Sequence, residues 1–306
     1  MKVLTHFKSG AVRSLKSWRG IIVIWIMTLF LISMIALPMK AGFKSLVGSS
    51  MITELLTDTI NIDVITDLVP GLASLIPALT SGFLLVIFLT FLLNVFLTGG
   101  LFTILSGTNG KQSLTYFFTG GASIFWSVLV INVITTLIIL FSGAIIGGIP
   151  FALVSSSGSG SPEPGAIGKV LRIAVILMAL LLPLLILVAD FARAWQVTHE
   201  EKKPFSAIGF GFRMTFRTFL LSYPLMLALM LVQGGYGALV LSKLLASKPV
   251  TGGGVFLLFL ASQLLFIIKI LLRAWRYGCV TSVMEDNVQA PSLAPDQKES
   301  ELWPAI

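Results

Sequence analysis

Six apolar runs of roughly 18 to 25 residues dominate the sequence, at about 21–38, 83–105, 124–149, 170–189, 219–241 and 255–272. None alternates with period 2, and each is long enough for a helix to cross a hydrocarbon layer of ~30 Å. The expected fold is all-α: a polytopic membrane helical bundle of six transmembrane helices in three hairpins, with short amphipathic surface helices. Residues 1–285 read as a single transmembrane domain and 286–306 as a polar C-terminal tail.

The stretches between the runs repeat. Each hairpin is preceded by a short segment rich in aromatic or basic residues: THFKSGAVRSLKSW, QSLTYFFTGGASIFW and FSAIGFGFRMTFRTF. A span up, a loop and a span down follow each of them. The fourth and sixth spans end alike, in Arg193-Ala194-Trp195 and Arg273-Ala274-Trp275, and Thr98-Gly99-Gly100 echoes Thr119-Gly120-Gly121. This is a parallel pseudo-repeat of three hairpins, not the inverted repeat of many transporters. In the first segment Phe7, Ala11, Leu15 and Trp18 recur at helical spacing among basic residues, which predicts a helix lying on the membrane surface. The first span is expected to be retained, because its basic and apolar regions are long for a signal peptide. Gly143 and Gly147 form a GxxxG pair, Pro183 and Pro224 mark expected kinks, and 155–166 is a polar loop.

Residues 40–81 differ from the rest. Glu54, Asp58, Asp63 and Asp67 stand between apolar positions as two i,i+4 pairs, which predicts two short amphipathic helices broken near Asn61 against the outer membrane face. A seventh span there would carry four acids into hydrocarbon. A carboxylate cluster can bind a divalent cation, but a solvated acidic face is the simpler reading.

Composition fixes the solvent. Hydrophobic residues make up 56% of the 306 and charged residues 11%, too little charge to solvate a soluble domain with that much apolar surface. The formal charge of +8 is spread over the loops, not gathered in one basic domain, so no nucleic-acid partner is expected. With the N-terminus inside, fifteen Lys and Arg fall on inner segments and six on outer ones, which favours both termini in the cytoplasm. The single cysteine, Cys279, excludes an internal disulfide and reads as a small apolar residue.

Candidate chemistry is sparse. Asp190 and Arg193 are three apart on one helix face near the end of the fourth span, and Lys269, Arg273 and Arg276 form an i, i+4, i+7 stripe at the end of the sixth. The two ends lie at similar depth, so Asp190 is expected to pair with Arg193 or with a member of the stripe. It is either a structural clamp or an ion-coupling acid, and the nearby arginines favour the clamp. Four amides lie inside spans: Asn94 and Asn132 near the middle, Gln233 and Gln263 closer to the outer face. Such amides line a path or, more commonly, hydrogen-bond between helices. His199-Glu200-Glu201 is not a zinc-binding HExxH, and no phosphate loop or Cys-x-x-Cys occurs. No catalytic residue, cofactor or metal site is therefore expected.

The stretches DFARAWQVTHEEKKPFSAIGFGFR, NVFLTGGLFTIL and QLLFIIKILLRAW resemble a family of uncharacterised six-span bacterial membrane proteins, distantly similar to the membrane domain attached to some glycerophosphodiester phosphodiesterases. Where that pattern has an arginine soon after the sixth-span glutamine, this chain has Lys269. The resemblance implies the six-span architecture and a bacterial inner membrane, and no catalytic residue. The functional expectation is a non-catalytic protein that organises lipids or partner membrane proteins. The alternative is a permease for a small or lipid-like substrate, hinged at Pro183, Pro224 and Gly234-Gly235.

Overall fold

The computed structural model describes residues 2–47, 62–106, 113–156, 164–199, 203–246 and 251–289. They form a polytopic, all-helical bundle. Its helices are α1 (Lys2–Lys16), α2 (Trp18–Val47), α3 (Ile62–Ser106), α4 (Leu114–Ser123), α5 (Phe125–Gly143), α6 (Ile149–Ser156), α7 (Pro164–Thr198), α8 (Pro204–Arg217), α9 (Phe219–Ala246) and α10 (Gly252–Gln289). A π-helical turn, Ala144–Gly148, joins α5 to α6 without interrupting the span. Among the described residues five helices are long and apolar enough to cross a membrane. A sixth is counted if Val3–Lys16 and Trp18–Met34, bent by 64°, form one span. The chain is a multi-pass integral membrane protein.

Contacts divide it into two units, Ile22–Asn94 and the remainder. The first contains most of α2 and of α3. There the acidic pattern predicts a separate surface helix, whereas residues from Ile62 onward continue unbroken into the second span as one 45-residue helix. Acids mark where a helix leaves hydrocarbon, not where it ends. The backbone hydrogen bonds of a helix are internal in either medium, so nothing in that transition forces a stop. Glu54, Asp58 and Asn61 lie outside the described residues, as do 157–163 of the polar loop and the tail beyond Gln289.

In the second unit the repeat becomes physical. The short helices α1, α4 and α8 each end at a single residue, Ser17, Ile124 or Thr218, before a span begins. The bonding at the three breaks is the same. The N–H of each break residue donates four positions back, to Arg13, Gly120 and Met214, and its carbonyl accepts from four positions on, Ile21, Val128 and Ser222. The chain thus turns with almost no loss of backbone bonds. Ile124 and Thr218 occupy the bridge region, φ −107° and −106°. The Ser17 and Thr218 hydroxyls add a second bond to carbonyls of the same turns, those of Ser14 and Met214.

Each short helix lies against the end of a descending span through glycine. A Cβ at Gly10 would meet Cys279 of α10, one at Gly121 the Phe96 carbonyl of α3, and one at Gly211 the Val188 carbonyl of α7. Small residues here let helix backbones touch. These contacts assemble a cap from α1, α4, α8 and the adjoining ends of the spans. The cap holds most of the unit's fully buried residues, including Phe102, Phe117, Ile131, Phe191, Met226 and Tyr277. Beyond it the spans carry exposed large apolar side chains, such as Phe141, Leu177, Leu241 and Phe256. The GxxxG pair makes no such approach. A Cβ at Gly143 or Gly147 would meet only side-chain atoms of α7, at 3.9 Å, and the π turn falls there instead.

The descending helices run further than the apolar runs suggest. α10 does not end near Leu272 but continues to Gln289, and Ala274 to Met284 includes some of the most buried positions in the protein. Arg273 and Arg276 mark the edge of the apolar run, yet the helix goes on beneath α1. Cys279 is fully buried there.

Candidate functional site

Charge collects where α7 meets α10 inside the cap. Asp190 is fully buried. Its Oδ1 accepts from Arg193 Nη1 one turn along α7, at 2.5 Å, and its Oδ2 lies 3.0 Å from Arg276 Nε on α10. That second contact is an ion pair without hydrogen-bond alignment. Both guanidiniums are nearly buried, each side chain 12% exposed.

Arg193 also bridges to α5, where Asn132 Oδ1 accepts from its Nε and Nη2 at 3.0 and 2.5 Å. Arg273 points elsewhere. Its Nε donates to the Tyr277 hydroxyl at 2.8 Å and its Nη2 to Thr98 Oγ1 of α3 at 2.9 Å. The Tyr277 ring lies 5.0 Å from the Arg276 guanidinium on one side and stacks on Phe102 at 4.4 Å. One carboxylate, three guanidiniums, an amide and a phenol thereby tie together α3, α5, α7 and α10.

Lys269 and Gln233 take no part in the bonds of this network. Lys269 is exposed one turn before Arg273 on α10. Gln233 Nε2 donates to the Leu272 carbonyl at 2.9 Å, an interhelical bond between α9 and α10. Gln263 is half-buried nine residues from Leu272, so the two glutamines do not share a depth. Nine residues of helix is ~13 Å, more than an amide side chain spans. Placing both closer to the outer face, at one depth, counts residues from the ends of the apolar runs, and α10 extends well past its run, to Gln289. Asn94 closes the first unit.

A second polar cluster, not foreseen from sequence, fixes α1. Arg13 grips Glu285 through two bonds of 3.0 and 2.6 Å and donates to the Leu105 carbonyl at 3.3 Å. Buried His6 bonds Ser282 Oγ at 3.0 Å, and Trp275 Nε1 donates to the Phe7 carbonyl at 2.9 Å. The available signal was Glu285, an acid at the end of a basic protein's last helix, with the arginine of α1 as its counterpart 272 positions away.

Between these clusters the core is apolar. Leu187, Phe191, Leu225, Leu229, Cys279 and Val283 are among the residues that close around a void of ≈ 10 Å³, about one water. Among the described residues no group of three or more His, Cys, Asp or Glu is placed to hold a metal. The arrangement around Asp190 can clamp helices and fix charge.

No family model matches the chain, and neither does any curated protein or solved structure.

Proposed function

We propose that this is a non-catalytic bacterial inner-membrane protein that organises lipids or partner membrane proteins around a rigid cap, in keeping with its resemblance to the six-span family. One observation carries the reading: Asp190, Arg193, Arg276 and Asn132 are bonded to one another across helices and Gln233 to a backbone carbonyl of α10, while the space between α7, α9 and α10 is filled mostly by apolar side chains. An ion-coupling acid must exchange partners with an ion or with water. Asp190 is instead fully buried between two arginines. The bias of Lys and Arg toward the cap segments supports placing the cap, and with it both termini, on the cytoplasmic side.

Cys279 tests both points, because it is the only cysteine and lines the small void. A membrane-impermeant thiol reagent should leave it unmodified in intact and in permeabilised cells, and react only after denaturation. In a Cys279→Ala chain, a cysteine replacing Lys202 should react only after permeabilisation. Modification of Cys279 in the folded protein would mean that the cap opens to water. Labelling at position 202 in intact cells would reverse the orientation.

A further inference from the structure

α8 has three chemically distinct faces. Ala207, Gly211, Met214 and Thr215 are buried, and Gly211 lies against α7. Phe205, Phe212 and Phe216 follow at intervals of seven and four, which puts them on one outward stripe, with Phe205 74% and Phe216 63% exposed. Arg213 and Arg217 are exposed on one flank of that stripe, and neither has a partner among the described residues. Beyond the break at Thr218, Leu220 is 89% exposed on the first turn of the spanning helix α9.

We infer that α8 is an in-plane interfacial helix that binds the surface of an anionic phospholipid bilayer. The phenylalanines enter the acyl boundary and Arg213 and Arg217 hold headgroup phosphates. Two observations identify the occupant. The apolar stripe runs up to the break before α9, whose first turn exposes Leu220 and which meets lipid because it spans. The cationic flank runs along the side of that stripe, where headgroups lie when an amphipathic helix rests in the interface. Guanidinium is matched to phosphate in geometry as well as charge. A protein partner would not need the stripe to sit at the foot of a lipid-facing span. The inference rests on the lipid-organising reading and names the lipid class.

The full chain, purified in mild detergent with equimolar phosphatidylglycerol and phosphatidylcholine, tests this by native mass spectrometry. The unaltered protein should retain phosphatidylglycerol preferentially. Arg213→Gln with Arg217→Gln should cut that preference about tenfold, each arginine near a lipid surface being worth a several-fold change, with the melting temperature unchanged. Lys169→Gln with Arg172→Gln, an equal charge change on exposed α7 positions, should leave it intact. Equal retention of the two lipids, persistence of the preference in the α8 variant, or equal loss in both variants would overturn the inference. So would a change of oligomeric mass in place of lipid retention when Phe212 and Phe216 are replaced by serine. Protein-dependent transport would defeat the organising role but leave the lipid preference standing, so the two readings fail separately.

Discussion

Asp190→Asn is expected to lower the stability of the purified protein by about 3–5 kcal/mol, the usual cost of removing one member of a buried ion pair. The substitution preserves shape, removes the charge and turns one accepting oxygen into an NH2 donor that faces an arginine. It leaves the guanidiniums of Arg193 and Arg276, each side chain 12% exposed, without the carboxylate between them. Arg276→Met alone should cost less, because Asp190 keeps its bond to Arg193. Arg276→Met added to Asp190→Asn should then recover part of the loss, since one fewer uncompensated cation remains buried. Thermal unfolding of the four proteins in detergent closes the cycle. Additive losses would show that Asp190 and Arg276 are uncoupled and would make Asp190 a transport candidate again.

The second large effect is steric. A Cβ at Gly211 would overlap the Val188 carbonyl oxygen and sit 3.2 Å from the Ala192 nitrogen, both backbone atoms of α7. No rotamer change relieves that contact, so α7 and α8 must separate. Gly211→Leu should therefore exceed the ~1–3 kcal/mol typical of core overpacking and deplete folded protein from the membrane. Gly209, two residues away on the same helix, has nothing within 4 Å of its Cβ position. Gly209→Ala should be neutral or stabilise by up to ~1 kcal/mol through helix propensity. Folded yield and melting temperature of the pair separate packing from propensity. Equal behaviour at the two positions would contradict the glycine-mediated assembly of the cap.

Much of this architecture was legible because the bilayer leaves few alternatives: long apolar runs must be helices. The short segments before α2, α5 and α9 were also legible as a repeat. The pairing of Asp190 followed from helix spacing, since i,i+3 and i,i+4 positions share a face. What spacing could not supply was partners from other helices. Asn132 read as a mid-span amide, and only the packing of α5 on α7 makes it the acceptor for Arg193. The stripe of Lys269, Arg273 and Arg276 read as one unit, yet its members diverge, because seven residues of helix carry the first well away from the last. The buried end of α10 was hidden for a different reason. Gly278, Cys279, Thr281 and Ser282 are small or polar, so their burial leaves no hydrophobic signature, although all four pack tightly in the cap. The breaks at Ser17, Ile124 and Thr218 lack Pro or Gly, and their cause is tertiary: each short helix is drawn onto a descending span.

A cap that seals the bundle, with charges that hold helices together and carry no substrate, would leave the protein impermeable. Permeability of proteoliposomes tests it most directly, followed with a proton-gradient dye and with dithionite access to a fluorescent lipid. The traces should equal those of protein-free vesicles, for the unaltered chain and for Lys269→Gln. A saturable, protein-dependent proton or lipid flux that disappears in Asp190→Asn while the protein remains folded would contradict it.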